Sequence, residues 1–356
     1  TEQADNLIGG FGADTISGLG GNDVIDGGAG NDVVYAGLDD DQVAGNFGND
    51  TLYGEDGNDN LSDDQGSNTL DGGAGNDVLT ARSLTGNQTL IGGAGGDNLN
   101  ATGAVVSLDG GDDNDWLTAS GQMWQNGNTS YVASGLANLA GGAGADTLNV
   151  GNYSVANMNG GDGNDNLNAS YVRSVNMNGG LGDDSLFANM NAYESQNTDG
   201  SYVLAKTVLM DGGDGVDTLN VQTYAPSSQG QTNVTMLGGS GNDRLQGDGG
   251  NDFLYGDAGN DTLTISTPLS EVEADTLKAS VCSETAAAAI VEAVDLYRLE
   301  CTRKLFVAAG MADAEAKSRS LLLYACVFGL SLMHYTHFDE DPTALKQRIA
   351  EHIVAI

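Results

Sequence analysis

Large aliphatic residues recur along the first three quarters of the chain at a step of nine. Ile16, Ile25, Val34, Leu52 and Leu79 each hold the eighth place of a unit whose opening places are mostly glycine. The residues flanking each aliphatic are polar or small, so the run alternates with period two, as a half-buried strand does. The glycine-rich half of the unit predicts a turn. From Gly9, eight units run in register to Thr80, beginning GGFGADTIS, GLGGNDVID and GGAGNDVVY. Three more, GGSGNDRLQ, GDGGNDFLY and GDAGNDTLT, fill 238–264. Single units start between them at Gly92, Gly110, Gly141, Gly160, Gly179 and Gly212; Leu99 and Leu148 keep the eighth place there, as Leu245 does in the closing tandem. Upstream, Asp5 and Leu7 stand where the sixth and eighth places of a unit without its front would fall, so the chain reads as a fragment or processed piece of a longer protein. It has neither an initiator Met nor a signal peptide.

A coil built from two such units puts loops of the same edge 18 residues apart. Loops at 9, 27, 45 and 63 then share one edge, and loops at 18, 36, 54 and 72 share the other. The second edge is predicted to continue through 92, 110, 141, 160, 179, 212, 238 and 256. The first edge loses its loops between about 81 and 246. Insertions 119–135 and 188–203, which hold Trp124, Tyr131, Met190 and Tyr193, are expected to protrude there as loops.

After Pro268 the period becomes helical. Ser283 caps a predicted helix over Ala286–Ala309 that stops at Gly310. Asp313 caps a second to about His334, and Asp341-Pro342 opens a third that ends near Val354. The apolar run Leu321–Met333 is too short to span a membrane. His334 and His337 read as helix-end imidazoles, and Cys282, Cys301 and Cys326 have no metal or disulfide spacing. The chain therefore divides into 1–266, with tandem units at 9–80 and 238–264 around degenerate 81–237, and a helical segment, 267–356.

Charge sharpens this division. The net charge is −38, and residues 1–266 carry −33 of it, from 34 Asp, 3 Glu and only Arg82, Arg173, Lys206 and Arg244 as basic residues. Such a segment repels phosphates, which excludes a nucleic-acid binder working through a basic face. Its acidity and glycine content mark it for disorder unless something neutralises the charge. No HExxH, GxSxG, Walker or dinucleotide motif occurs, so no catalytic residue is assigned.

The unit G-G-x-G-x-D-x-U-x resembles the nonapeptide of the RTX (haemolysin-type calcium-binding) family over about residues 4–264. The resemblance implies a mainly β fold, a right-handed parallel β-roll or β-solenoid of calcium-binding turns and short strands, followed here by the small all-α segment. Calcium takes 6–8 oxygens from carboxylates and carbonyls, which suits an Asp in the sixth place and glycines that turn carbonyls inward. The implied ligands are Asp14, Asp23, Asp32, Asp41, Asp50, Asp59, Asp77, Asp97, Asp115, Asp146, Asp165, Asp184, Asp217, Asp243, Asp252 and Asp261. The glycines of these loops are Gly10, Gly12, Gly28, Gly30, Gly73, Gly75, Gly93, Gly95, Gly142, Gly144, Gly161, Gly163, Gly180, Gly182, Gly213, Gly215, Gly239 and Gly241. The unit at 63–71 carries Asn68 in the sixth place and lacks the double glycine, which argues against a site in that loop. One Ca²⁺ per loop pair gives an upper figure on the order of 14 ions. The family also implies an extracellular or cell-surface protein exported by a type I system.

Residues 297–335 (YRLECTRKLF…) and 341–356 resemble the C-terminal regulatory half of TetR-family repressors. That resemblance implies a homodimer through the C-terminal helices and, for the tail alone, a cytoplasmic setting. The helix-turn-helix of that family is absent, so no DNA reading follows. Three functions are therefore expected: a non-catalytic calcium-binding module that folds on binding Ca²⁺, the accessory repeat region of a secreted enzyme or toxin, and a ligand-sensing dimerisation tail.

Overall fold

The computed structural model describes residues 1–126, 129–132, 135–190, 206–222, 232–247 and 250–265. All of them lie in the first of the two units into which the chain divides, Thr1–Cys282 and Ser283–Ile356. The three predicted helices, the histidines, the cysteines and the insertion beyond Met190 lie outside the described residues.

Among the described residues there is no helix, and therefore none long and apolar enough to cross a membrane. Thirteen parallel strands, from Asn6–Phe11 to Thr262–Ile265, form one sheet, and twelve, from Thr15–Gly20 to Gly250–Tyr255, form the other. Consecutive units alternate between the sheets, so two strands and two turns make one coil of a parallel β-solenoid. Strands of this kind need both faces managed, since parallel sheets are usually covered. Here the two sheets cover each other, and the aliphatic of each unit points between them.

The core consists of stacked columns. In the first sheet Ile25 aligns with Val43, Leu61 with Leu79, and Leu79 with Leu99. In the second, Val34, Leu52, Leu70, Leu90 and Leu108 follow one another, and methionines take over at Met158, Met177 and Met210. All of these side chains are buried. Each contributes about 1.5–3 kcal/mol by leaving water. Because each coil is only two strands across, its apolar core is narrow, and its two ends must be closed by the turns.

Two expectations about the insertions are corrected. Residues Met123–Asn126 and Thr129–Val132 pair as an antiparallel hairpin rather than a loop, with Trp124 opposite Tyr131. Short alternating β-formers on both sides of Gly127-Asn128 explain it. Met190, assigned by sequence to a protruding insertion, is fully buried, because it follows the strand Ser185–Asn189 and closes the end of its coil.

Candidate metal centre

The turns place the aspartates of the sixth position in two rows. Along the long edge the backbone N–H of each Asp donates to Oδ1 of the Asp one coil further on. The chain of links runs Asp5, Asp23, Asp41, Asp59, Asp77, Asp97, Asp115, Asp146, Asp165, Asp184, Asp217, Asp243, Asp261, with distances of 2.7–3.0 Å. The short edge carries the same links through Asp14, Asp32, Asp50 and Asn68. Asp252, on the side of the short edge near the end of the array, is buried as well.

Each link uses one carboxylate oxygen. The second, Oδ2, is buried and has no hydrogen-bond partner in fifteen of the predicted aspartates, from Asp14 to Asp261. A buried carboxylate oxygen without a partner is costly, and proteins retain one chiefly where a cation or donor belongs. These oxygens do not face empty apolar core. A Cβ built on Gly92 would collide with both Asp97 Oδ2 and the carbonyl oxygen of Gly110. The same holds at Gly18 for Asp23 and Ala36, and at Gly160 for Asp165 and Gly179. Glycine in the first place thus leaves room in which a carboxylate oxygen and a carbonyl oxygen of the next coil converge. The eighteen predicted glycines of the second and fourth places all have φ between 99° and 149°. A side chain on Gly30 would also strike the Gly12 carbonyl of the preceding coil.

The electrostatics of these positions are those of unneutralised anions. Burial first, and neighbouring carboxylates second, push Asp41, Asp97, Asp165 and Asp217 up to about 6, against the lowering effect of the backbone N–H each accepts. The same causes bring Asp59, Asp115 and Asp184 to about 7. Asp5 behaves oppositely. The Thr1 ammonium donates to its Oδ2 and, at 3.1 Å, to the Gly18 carbonyl, and the carboxyl is held below its usual range. A positive charge between a loop aspartate and the first-place carbonyl of the next coil reverses the direction of the shift.

Such a set fits a hard divalent cation. Carboxylate and carbonyl oxygens are the ligand types calcium prefers. Among the described residues no three His, Cys, Asp or Glu side chains cluster as a metal site. That is the expected outcome where carbonyls supply most of the oxygens and each gap draws few side chains.

The short edge ends differently. Asn68 donates through Nδ2 to the Gln65 carbonyl at 3.2 Å. One coil later Gln88 donates through Nε2 to the Gly66 carbonyl at 2.9 Å. Amide N–H groups therefore serve the carbonyls. Beyond them Tyr153, Val172 and Met190 are buried at the ends of their coils, with Tyr153 Oη donating to the Gly103 carbonyl at 3.2 Å.

Sequence reasoning missed the fifth place. Its Asn or Asp accepts, through Oδ1, the fifth-place N–H of the next coil: Asn31 from Asn49, Asn58 from Asn76, Asn164 from Asp183, Asn242 from Asn260, all at 2.9 Å. This lacing runs opposite to that of the aspartates. The frequent Asn before the Asp was the available signal, hidden because the template leaves that place unspecified.

A family model for the RTX calcium-binding nonapeptide repeat (4 copies) matches residues 1–34, 8–43, 35–62, 53–83 and 235–264. The chain thus carries these repeats in its N-terminal part and again at the end of the solenoid. No curated protein and no solved structure matches the chain. Nothing in these comparisons supports the TetR-like resemblance of the tail.

Proposed function

We propose that the solenoid is a non-catalytic calcium-binding module of a secreted or cell-surface protein, and that its folding is coupled to calcium. The observation that carries this reading is the set of fifteen buried Asp Oδ2 atoms without partners, twelve of which converge with a backbone carbonyl oxygen of the next coil at a first-place glycine. The sixth-place aspartates and the first-place carbonyls would hold the ions, with one ion per loop pair and on the order of 14 in all. A divalent cation there supplies charge neutralisation and a bridge between coils. Without it, the −33 of residues 1–266 opposes the compact state. With it, binding free energy becomes folding free energy, and stacking of each coil on the next makes the response cooperative.

Far-UV circular dichroism of the full chain tests the coupling. In EDTA the β signal of the solenoid should be absent, and it should return steeply as calcium is raised. Calorimetry in parallel should count well over five ions. A chelated chain that is already β-rich, or fewer than about five ions, would sink the reading.

A further inference from the structure

The loop pair at the end of the short edge departs from the rest in one respect. In the other pairs the oxygen of the next coil that meets the Asp Oδ2 is a backbone carbonyl: Gly27 for the loop at Gly9, Gly45 for the loop at Gly27. At Gly45 the next coil brings Asp63 instead of glycine. A Cβ on Gly45 would lie 2.9 Å from Asp50 Oδ2 and would collide with Asp63 Oδ2. A side-chain carboxylate thus stands where the carbonyl stands elsewhere.

Both carboxylates are built into this position. Asp50 and Asp63 are each 1% exposed. Asp63 Oδ1 accepts the Gln65 N–H at 3.0 Å, which fixes the side chain and leaves Oδ2 facing Asp50. Neither Asp50 Oδ2 nor Asp63 Oδ2 has a hydrogen-bond partner. Two buried carboxylate oxygens aimed at one point repel each other unless a cation or a shared proton lies between them. The neighbouring side-chain amides are bonded to carbonyls instead. The Asn68 amide is engaged with Gln65 O and the Gln88 amide with Gly66 O.

We propose that Asp50 and Asp63 form a cation site of a second kind, which takes a hard divalent ion, Ca²⁺ in this setting, and terminates the ion row of the short edge. This rests on the calcium-binding reading of the solenoid. The sixth-place substitution at Asn68 does not abolish a site in the 45–66 pair, because Asp50 belongs to that pair and Asp63 adds a second carboxylate from the first place. Two carboxylate oxygens converge here where the neighbouring gaps bring one carboxylate and one carbonyl, so its ion is held more tightly than theirs. From Asn68 onward amide N–H groups take over, and the row stops.

Equilibrium dialysis of the full chain against ⁴⁵Ca²⁺ tests this, with circular dichroism in calcium to confirm the β fold of each variant. Asp63→Asn should lose one ion relative to the parent, from the tightest class. Asp63→Gly, which installs the first-place residue of the neighbouring loops, guards against a variant that fails to fold. It should keep the coil and bind its ion at least tenfold more weakly. An unchanged ion count and unchanged affinities in both variants would overturn the proposal and leave a proton as what joins the two carboxyls. A parent chain that binds no calcium would instead overturn the function proposed for the whole solenoid.

Discussion

The two edges of the same solenoid are closed by different chemistry. Along the long edge every turn presents an Asp whose Oδ2 lacks a donor, from Asp23 to Asp261. Along the other, that arrangement stops near Asn68, and amides and then Tyr153, Val172 and Met190 fill the coil ends. The strands between the edges pair in the same parallel register in both regions. Closure of a coil is therefore a separate requirement from pairing of its strands. It is met either by anions that need a counter-charge or by apolar and amide groups that need none. The apolar edge also accepts length: the steps between successive aspartates of the long edge grow from 18 to 31 and 33 residues where the chain detours on the opposite side.

The sharpest way to break this comparison is to substitute one residue of each kind in the same stretch. Tyr153→Ala should cost about 3–5 kcal/mol in urea unfolding at saturating calcium, by cavity formation and by loss of the donor to Gly103 O. Its calcium count should stay that of the parent. Asp115→Asn should lower the count by one and lower stability at saturating calcium. If the tyrosine variant loses an ion, or the aspartate variant keeps them all, the two edges are not independent closures.

A smaller effect separates the edges by pH. The long-edge aspartates raised to about 6 or 7 bind protons in the metal-free fold that the unfolded chain has already released. Their contribution to the stability of that fold is thus fully present below about pH 4 and is lost as pH rises through 6 to 7. Metal-free protein should gain β signal between pH 8 and pH 5. The calcium midpoint should move to higher concentration over the same interval, since protons and the ion compete. A calcium midpoint independent of pH across 5–8 would contradict the burial of these carboxylates.

The smallest expected effect concerns the backbone. Leu19 and Glu55 hold the second place without being glycine, yet keep φ at 83° and 74°. Leu19→Gly should stabilise the calcium-loaded chain by about 0.5–1 kcal/mol, relief of strain exceeding the entropy of glycine. A destabilised variant would show that Leu19 contributes through its side chain.

Much of this was legible in the sequence. The step of nine gave the strands, the eighth place the core, and the 18-residue spacing the assignment of loops to edges. What stayed hidden depends on neighbours one coil away. Asn68 marks a missing carboxylate in its own unit, but Asp63 answers to Asp50 in the unit before the last coil boundary, a relation visible only once coils are stacked. Met190 looked like part of an excursion although Leu186, Ala188 and Met190 keep the period of two, and only the closed coil shows it plugging an end. The hairpin at 123–132 pairs locally and leaves no trace in the nine-residue pattern.

The Asp-to-Asp links have a kinetic consequence. Each joins residues 18 to 33 apart in a chain of 356 residues. These separations are short for parallel strands, and short separations favour fast folding. A coil can form as soon as its predecessor offers an edge, with no distant segment to await. The solenoid should therefore grow by addition from one end, at a speed unusual for parallel β-structure.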